Sequence, residues 1–291
     1  MKKVIIPSTY RYVGVFLTLS CNLSCSYCIN HLVGLKQGRK LLNGEDWSRA
    51  LSRLEFSGPK LPLSLQGGEP TIHKNFYEIV NGIPETFELD LLTNIQFDPK
   101  VFAEKISVSK FNRDAPYAAI RVSYHPETMD FMETKNKVKE LMELGFRVGL
   151  YTVAHPDALE EIERIKSICS AEGIDFRTKE FLGVHEGKRY GHYRWDDACF
   201  VNERKNCLCK TTELLIDPFG DVYRCHHDLY NKISPVGNLL DEDFEIQDIY
   251  RECAFFGNCN PCDVKVKNNY LQEFGHTSVD IKFDLTTEAK L

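Results

Sequence analysis

No apolar run in this chain is long enough to cross a bilayer. Its most apolar early stretch, Tyr12 to Leu19, is under half of the ~20 residues a spanning helix needs. Basic runs are missing too. The 36 Lys and Arg are interleaved with 42 Asp and Glu over 291 residues, for a formal charge of −6, which argues against nucleic acid as the main partner. The start, MKKVIIPSTY, offers only three apolar residues before a proline, a poor secretion signal. There is no internal repeat and no low-complexity segment. A cytoplasmic protein that engages neither membrane nor nucleic acid is expected.

Cysteine is absent from 29–168 and after 262, although the chain has 11. Three stand at 21–28, one at 169, and seven between 199 and 262. In a reducing compartment, clustered cysteines are metal or cluster ligands more often than disulfides. The distribution therefore suggests two metal-binding ends around a cysteine-poor scaffold. At 43% apolar and 27% charged the composition is that of a globular protein, long enough for one large domain plus a small one, or one elaborated α/β barrel.

The scaffold shows a rhythm. β-rich runs stand at 13–20, 61–66, 88–95, 118–125, 146–154 and 174–184, separated by helix-like stretches with apolar residues every three or four positions. Asp157 is placed to cap the helix after Pro156, and Gly145 and Gly173 sit where a helix-terminating glycine belongs. Six strands alternating with helices predict an α/β fold, a partial (β/α)6 TIM-like barrel that stays open for want of two more units. In such folds the chemistry gathers at the C-terminal ends of the strands.

Past residue 185 the rhythm stops. A polar, aromatic stretch reads as linker or surface loop. TELLIDPFGDVYRC then predicts a β-hairpin, with Ile216 opposite Asp221 and Thr212 opposite Cys225. DEDFEIQDIYRECAFF predicts a short amphipathic helix leading into CNPC, and TSVDIKF is strand-like. The expected division is a barrel over 1–187, a linker and small hairpin-plus-helix domain over 188–265, and a tail over 266–291.

The triplet CNLSCSYC follows the first predicted strand. A cubane iron–sulfur cluster wants one outside ligand per iron, so three thiolates leave one iron coordinatively open. Zinc would need a fourth ligand, for which His31 is available at an uncommon spacing; disulfide pairing would strand one thiol; three ordinary buried cysteines fit poorly in a loop of Asn and Ser. C-x3-C-x2-C with an aromatic residue, Tyr27, before the third cysteine resembles the cluster loop of the radical S-adenosylmethionine (radical SAM) enzymes. LQGGEP at 65–70 resembles that family's second signature, at the end of the second strand.

The resemblance implies a 4Fe-4S cluster on Cys21, Cys25 and Cys28. It implies S-adenosylmethionine chelated to the open iron, with Gly67 and Gly68 allowing close approach and Glu69 receiving the methionine ammonium. Reductive cleavage would yield a 5′-deoxyadenosyl radical that abstracts hydrogen from a substrate carbon, driven by an external low-potential donor such as flavodoxin or ferredoxin. Similar proteins place further cofactor contacts at the strand ends matched here by Thr93 and Asn94, Ser123 and Val153. The glycine motif usual at the fifth strand is not evident.

The later cysteines resemble the auxiliary-cluster module of many radical SAM enzymes, called SPASM or, in its one-cluster form, twitch. Gly220 and Cys225 keep the G-x4-C spacing, Cys259 and Cys262 supply C-x2-C, and Cys207 precedes the hairpin at the better spacing, with Cys209 as runner-up. This implies one closed auxiliary 4Fe-4S cluster on Cys207, Cys225, Cys259 and Cys262, with four-thiolate zinc as the rival. Cys253 and Cys169 are expected to be core cysteines on helices, and Cys199 a packing residue.

An oxidative outcome, dehydrogenation or bond formation, fits such a pair of clusters best. With the first strand beginning near residue 12 there is no room for an N-terminal peptide-binding domain, so a small metabolite such as a sugar or cyclitol is expected. A ribosomally made peptide is the alternative, and a non-catalytic iron–sulfur or zinc protein the alternative of another class. His31, His125, His155, Lys179 and Glu180 are acid–base candidates to which the sequence gives no role.

Overall fold

The computed structural model describes residues 2–28, 39–201, 203–267 and 275–283; His31 lies outside them. The first part of the chain runs β1 (Val4–Ile6), β2 (Tyr12–Thr18), α1 (Gly44–Leu51), β3 (Leu54–Phe56), β4 (Leu63–Gly67), α2 (Phe76–Gly82), β5 (Leu89–Thr93), α3 (Pro99–Lys105), β6 (Ile120–Tyr124), α4 (Phe131–Glu143), β7 (Val148–Ala154), α5 (Leu159–Ala171) and β8 (Asp175–Glu180). Strands β2, β4, β5, β6, β7 and β8 are neighbours in that order and all parallel. The expected partial (β/α)6 barrel is the observed architecture.

The alternation of strand side chains explains both faces of this sheet. Val13, Val15, Leu17, Leu63, Leu65, Leu89, Leu91, Ile120, Val122, Val148 and Leu150 point outward and pack under the helices. Several helices start where a side chain satisfies their free N–H groups. Asn43 accepts from Asp46 N at 2.9 Å, Asp98 from Lys100 N at 2.8 Å and Asp130 from Glu133 N at 2.7 Å. Gly145 and Gly173, at φ 93° and 70°, follow α4 and α5 as expected.

Asp157 does not cap α5. The turn Pro156–Ala158 comes first and is capped by His155, and the Asp157 carboxylate turns instead to His185, 2.9 Å away. The proline starts a separate 3-10 turn, which delays the α-helix to Leu159.

The second part runs β9 (Gly183–His185), β10 (Lys188–Tyr190), β11 (Lys205–Thr211), β12 (Glu213–Ile216), β13 (Asp221–Tyr223), α6 (His226–Asn231), β14 (Gly237–Asn238), β15 (Arg251–Phe256), α7 (Pro261–Val264) and β16 (Val279–Lys282). The expected hairpin forms as β12–β13, but it is not set apart from the barrel: β12 pairs parallel with β2, from Glu213 against Tyr12 to Ile216 against Val15. Its register differs from expectation by one residue. Ile216 faces Val222, because Asp217 N bonds Asp221 O and leaves a three-residue loop ending on Gly220 at φ 82°. Thr212 therefore does not face Cys225; the chain splits at Thr212 between β11 and β12.

The second correction falls on 241–256. No helix forms there; Arg251–Phe256 is a strand paired with β11, whose other neighbour is β16, the TSVDIKF segment. Apolar residues at 246, 249 and 253 satisfy a helical period, but pairing with β11 decides the outcome. Among the described residues no helix is long and apolar enough to cross a membrane.

Candidate active site and cysteine centres

The two signatures meet backbone to backbone. Gly68 N donates to Thr18 O and Glu69 N to Ser20 O, each at 2.9 Å, so GGE runs along the segment that opens CNLSCSYC. A Cβ on Gly67 would collide with the Thr18 carbonyl oxygen, and one on Gly68 with that of Ser20. Gly67 also has a φ of 144°, in the region that favours glycine. The glycines are needed because β4 presses this closely on the start of the cluster loop.

Glu69 is 1% exposed. Its carboxylate accepts from Thr71 N (3.1 Å), Thr71 Oγ1 (2.6 Å), Thr93 Oγ1 (2.7 Å) and Asn94 N (2.6 Å). Burial pushes its carboxyl up and these donors pull it back. These bonds tie the end of β4 to the end of β5. Asn94 extends the chain of contacts: its Nδ2 donates to Asn22 Oδ1 at 2.7 Å and lies 3.8 Å from Cys21 Sγ.

The far side of the cluster loop is braced by the segment after β6. Tyr27 Oη and His125 Nδ1 are 2.9 Å apart, Ser26 Oγ donates to Glu127 at 2.8 Å, and Cys25 Sγ lies 3.5 Å from Thr128 Oγ1. The Tyr27 ring also stacks on His155 with centroids 5.4 Å apart. The sequence reading missed Glu127 and Thr128; their signal was their place in the loop just past a barrel strand. Burial, with the Lys179 ammonium adding to it, lowers His125 to about 4, so it is neutral near pH 7.

Ser123 is the one residue of β6 that is not buried, and Val153 is half-exposed near the end of β7. Alternation places both on the inward face, with Gln66, Arg121, Tyr151 and Lys179. Lys179, beside Val153 in register, is lowered to about 7, first by burial and then by Arg121 and Lys265. Glu180 bonds His192, and His155, Asp157 and His185 bring ligand atoms within 4.8 Å of one another.

The C-terminal cysteines gather around a small core of Ala198, Cys199, Cys207, Phe256, Val264, Val279 and Ile281. Cys209, Cys225, Cys253 and Cys259 pack against it. Cys207 and Cys209 have their sulfurs 3.5 Å apart, and with Cys253 all three lie within 4.8 Å. Cys253, expected in a helix core, instead faces Cys207 across β11 and β15. It joins the donor set because its segment is a strand. Cys262 sits beside Lys265 and Lys267. Cys169 and Cys199 are buried packing residues, as expected.

The chain is 38% identical over 232 residues to a probable GTP 3′,8-cyclase of Pyrococcus abyssi, covering 79% of this chain and 64% of that one. It is 28% identical over 146 residues to an S-adenosylmethionine-dependent nucleotide dehydratase of Selenomonas ruminantium, covering 49% and 50%. Among solved structures, anSMEcpe with bound AdoMet and a Cp18Cys peptide superposes with a TM-score of 0.54 at 15% identity, over 81% of this chain and 78% of that one. The chain belongs to the radical SAM superfamily. No protein-family profile matches it. It spans 50–64% of the length of the two curated relatives. Membership in a superfamily of enzymes sets aside the non-catalytic alternative. The donor set agrees with radical SAM cofactors: three thiols on one braced loop, and a glycine pair backed onto it.

Proposed function

We propose that this radical SAM protein is an oxidoreductase-type enzyme that removes hydrogen from a carbon of a small metabolite held inside the barrel. Cys21, Cys25 and Cys28 would hold a 4Fe-4S cluster with one open iron, and S-adenosylmethionine would lie across the strand ends, against Tyr27, Gly67, Gly68, Asn94, Ser123 and Val153. When bound, this pair supplies a carbon-centred oxidant after one-electron reduction by a donor such as flavodoxin or ferredoxin. Glu69 would receive the methionine ammonium, its carboxylate being oriented by Thr71, Thr93 and Asn94. The observation that carries this function is the paired hydrogen bonding of Gly68 and Glu69 to Thr18 and Ser20, which joins both signatures into one site.

A second, closed 4Fe-4S cluster at the C-terminal centre would accept the electron left on the substrate. Cys207, Cys225, Cys259 and Cys262 are its ligands by spacing, and the structure adds Cys209 and Cys253 as thiols beside Cys207. Two relatives named for nucleotide substrates support a small metabolite, and a relative named PqqA peptide cyclase supports the peptide alternative. A cytoplasmic location follows from the low-potential chemistry.

The test is cofactor cleavage. Anaerobically reconstituted, reduced protein is expected to form 5′-deoxyadenosine from S-adenosylmethionine, and Cys25→Ala none. Equal formation by both would overturn the assignment of the loop.

A further inference from the structure

The protein carries a net charge of −6, yet cations gather along the inner wall of its barrel. Register aligns Arg121 with Gly149, Ser123 with Tyr151, and Val153 with Lys179 along the inward faces of β6, β7 and β8. At the floor, one carboxylate serves two guanidinium groups. Asp90 Oδ1 accepts from Arg113 at 2.6 and 2.8 Å, and Asp90 Oδ2 from Arg121 at 2.9 Å. Arg121 Nε and, on β4, Gln66 Nε2 are buried with no hydrogen-bond partner.

Above them Lys179 stands over the Tyr151 ring, 5.6 Å from its centroid. Lys265 comes to the same end of the barrel through the backbone: it bridges Tyr193, and the adjoining His192 N donates to the carboxylate of Glu180, next to Lys179 in β8, at 3.1 Å. Neither lysine ammonium has a hydrogen bond or ion pair among the described residues. Like charges held together in a partly dry cleft repel one another and await an anion. A lone carboxylate is best met by two nitrogens of an arginine fork, and here Arg121 Nη2 is already held by Asp90, which leaves Nε as a single buried donor. Point charges and single donors arriving from separate strands suit a group with oxygens on several sides, which is a phosphate.

We propose that the substrate carries a phosphate group, held at the barrel mouth by Lys179 and Lys265 with Arg121 beneath. Lys265 follows α7, which carries Cys262, so the phosphate would sit between the cofactor side and the C-terminal cysteine centre. This names the substrate class of the proposed enzyme and rests on that function for the role of the lumen, but binding requires no turnover.

Inorganic pyrophosphate is the probe. It is titrated calorimetrically at low ionic strength into reconstituted protein already saturated with S-adenosylmethionine. One saturable site is expected, weakened by about tenfold or more in Lys179→Gln and in Lys265→Gln, the loss of a charge-assisted hydrogen bond. Lys179→Arg should retain binding, and Lys100→Gln, on the exposed face of α3, should leave it unchanged. No saturable binding, binding indifferent to both glutamine variants, or binding abolished by S-adenosylmethionine would each overturn the proposal. Should Lys179→Gln fail to fold, Lys265→Gln decides. Protein that binds pyrophosphate in this way yet forms no 5′-deoxyadenosine would keep the site and lose the enzymatic function.

Discussion

Gly68→Ala is expected to lower 5′-deoxyadenosine formation by about 100-fold or more, the size of effect that a 1 Å misplacement of a reacting group produces. The cause is steric. The added methyl would meet the carbonyl carbon and oxygen of Ser20, backbone atoms that have no rotamer by which to retreat. Either the end of β4 moves away or the segment Thr18–Cys21 does, and the hydrogen bonds from Gly68 to Thr18 and from Glu69 to Ser20 are strained or lost. The barrel is not otherwise touched, so far-ultraviolet circular dichroism should stay near that of the parent and the unfolding midpoint should fall by several degrees only, the shift expected of about 1–3 kcal/mol of overpacking. Cleavage at the parental rate would show that the close approach is not what the glycine provides.

Asp90→Asn should cost about 3–5 kcal/mol of folding stability, the usual result of removing one partner from a buried charge cluster. Asp90 is 1% exposed and sits against Arg113 and Arg121, whose side chains are 2% and 8% exposed. An amide of the same shape keeps the volume but removes the negative charge from between two guanidinium groups, and it offers donors where acceptors are needed. Against a typical total of about 5–15 kcal/mol, the loss should be plain in a urea midpoint. A change under about 1 kcal/mol would mean that water or another anion already compensates the guanidinium groups.

The barrel was legible because its strands are short β-rich runs spaced by amphipathic helices with caps and terminal glycines, all local signals that agree with one another. CNLSCSYC and GGEP were legible for the same reason, as short motifs at strand ends. What connects them was not. The reach of Asn94 to Cys21, of Glu127 to Ser26 and of His125 to Tyr27 spans 73 to 101 residues of chain and follows only from strand order.

The C-terminal part was harder to read. IQDIYRECAFF satisfies two periods at once, and the partner that decides between them, β11, lies some 40 residues earlier in a short strand. Reading it as a helix buried Cys253 in a core and hid its place opposite Cys207. The one-residue shift at D-P-F-G has the same origin. Turn length depends on whether Asp217 pairs with Asp221, which the tetrapeptide alone does not dictate.

The central claim is an iron kept vacant by a three-cysteine loop, and electron paramagnetic resonance tests it most directly. Reconstituted protein carrying Cys225→Ala and Cys259→Ala, to silence the C-terminal centre, is reduced and its cluster spectrum recorded before and after adding S-adenosylmethionine. The spectrum is expected to change, because the amino acid end of the cofactor becomes a ligand of the open iron. An unchanged spectrum at saturating cofactor would contradict the vacant site on Cys21, Cys25 and Cys28.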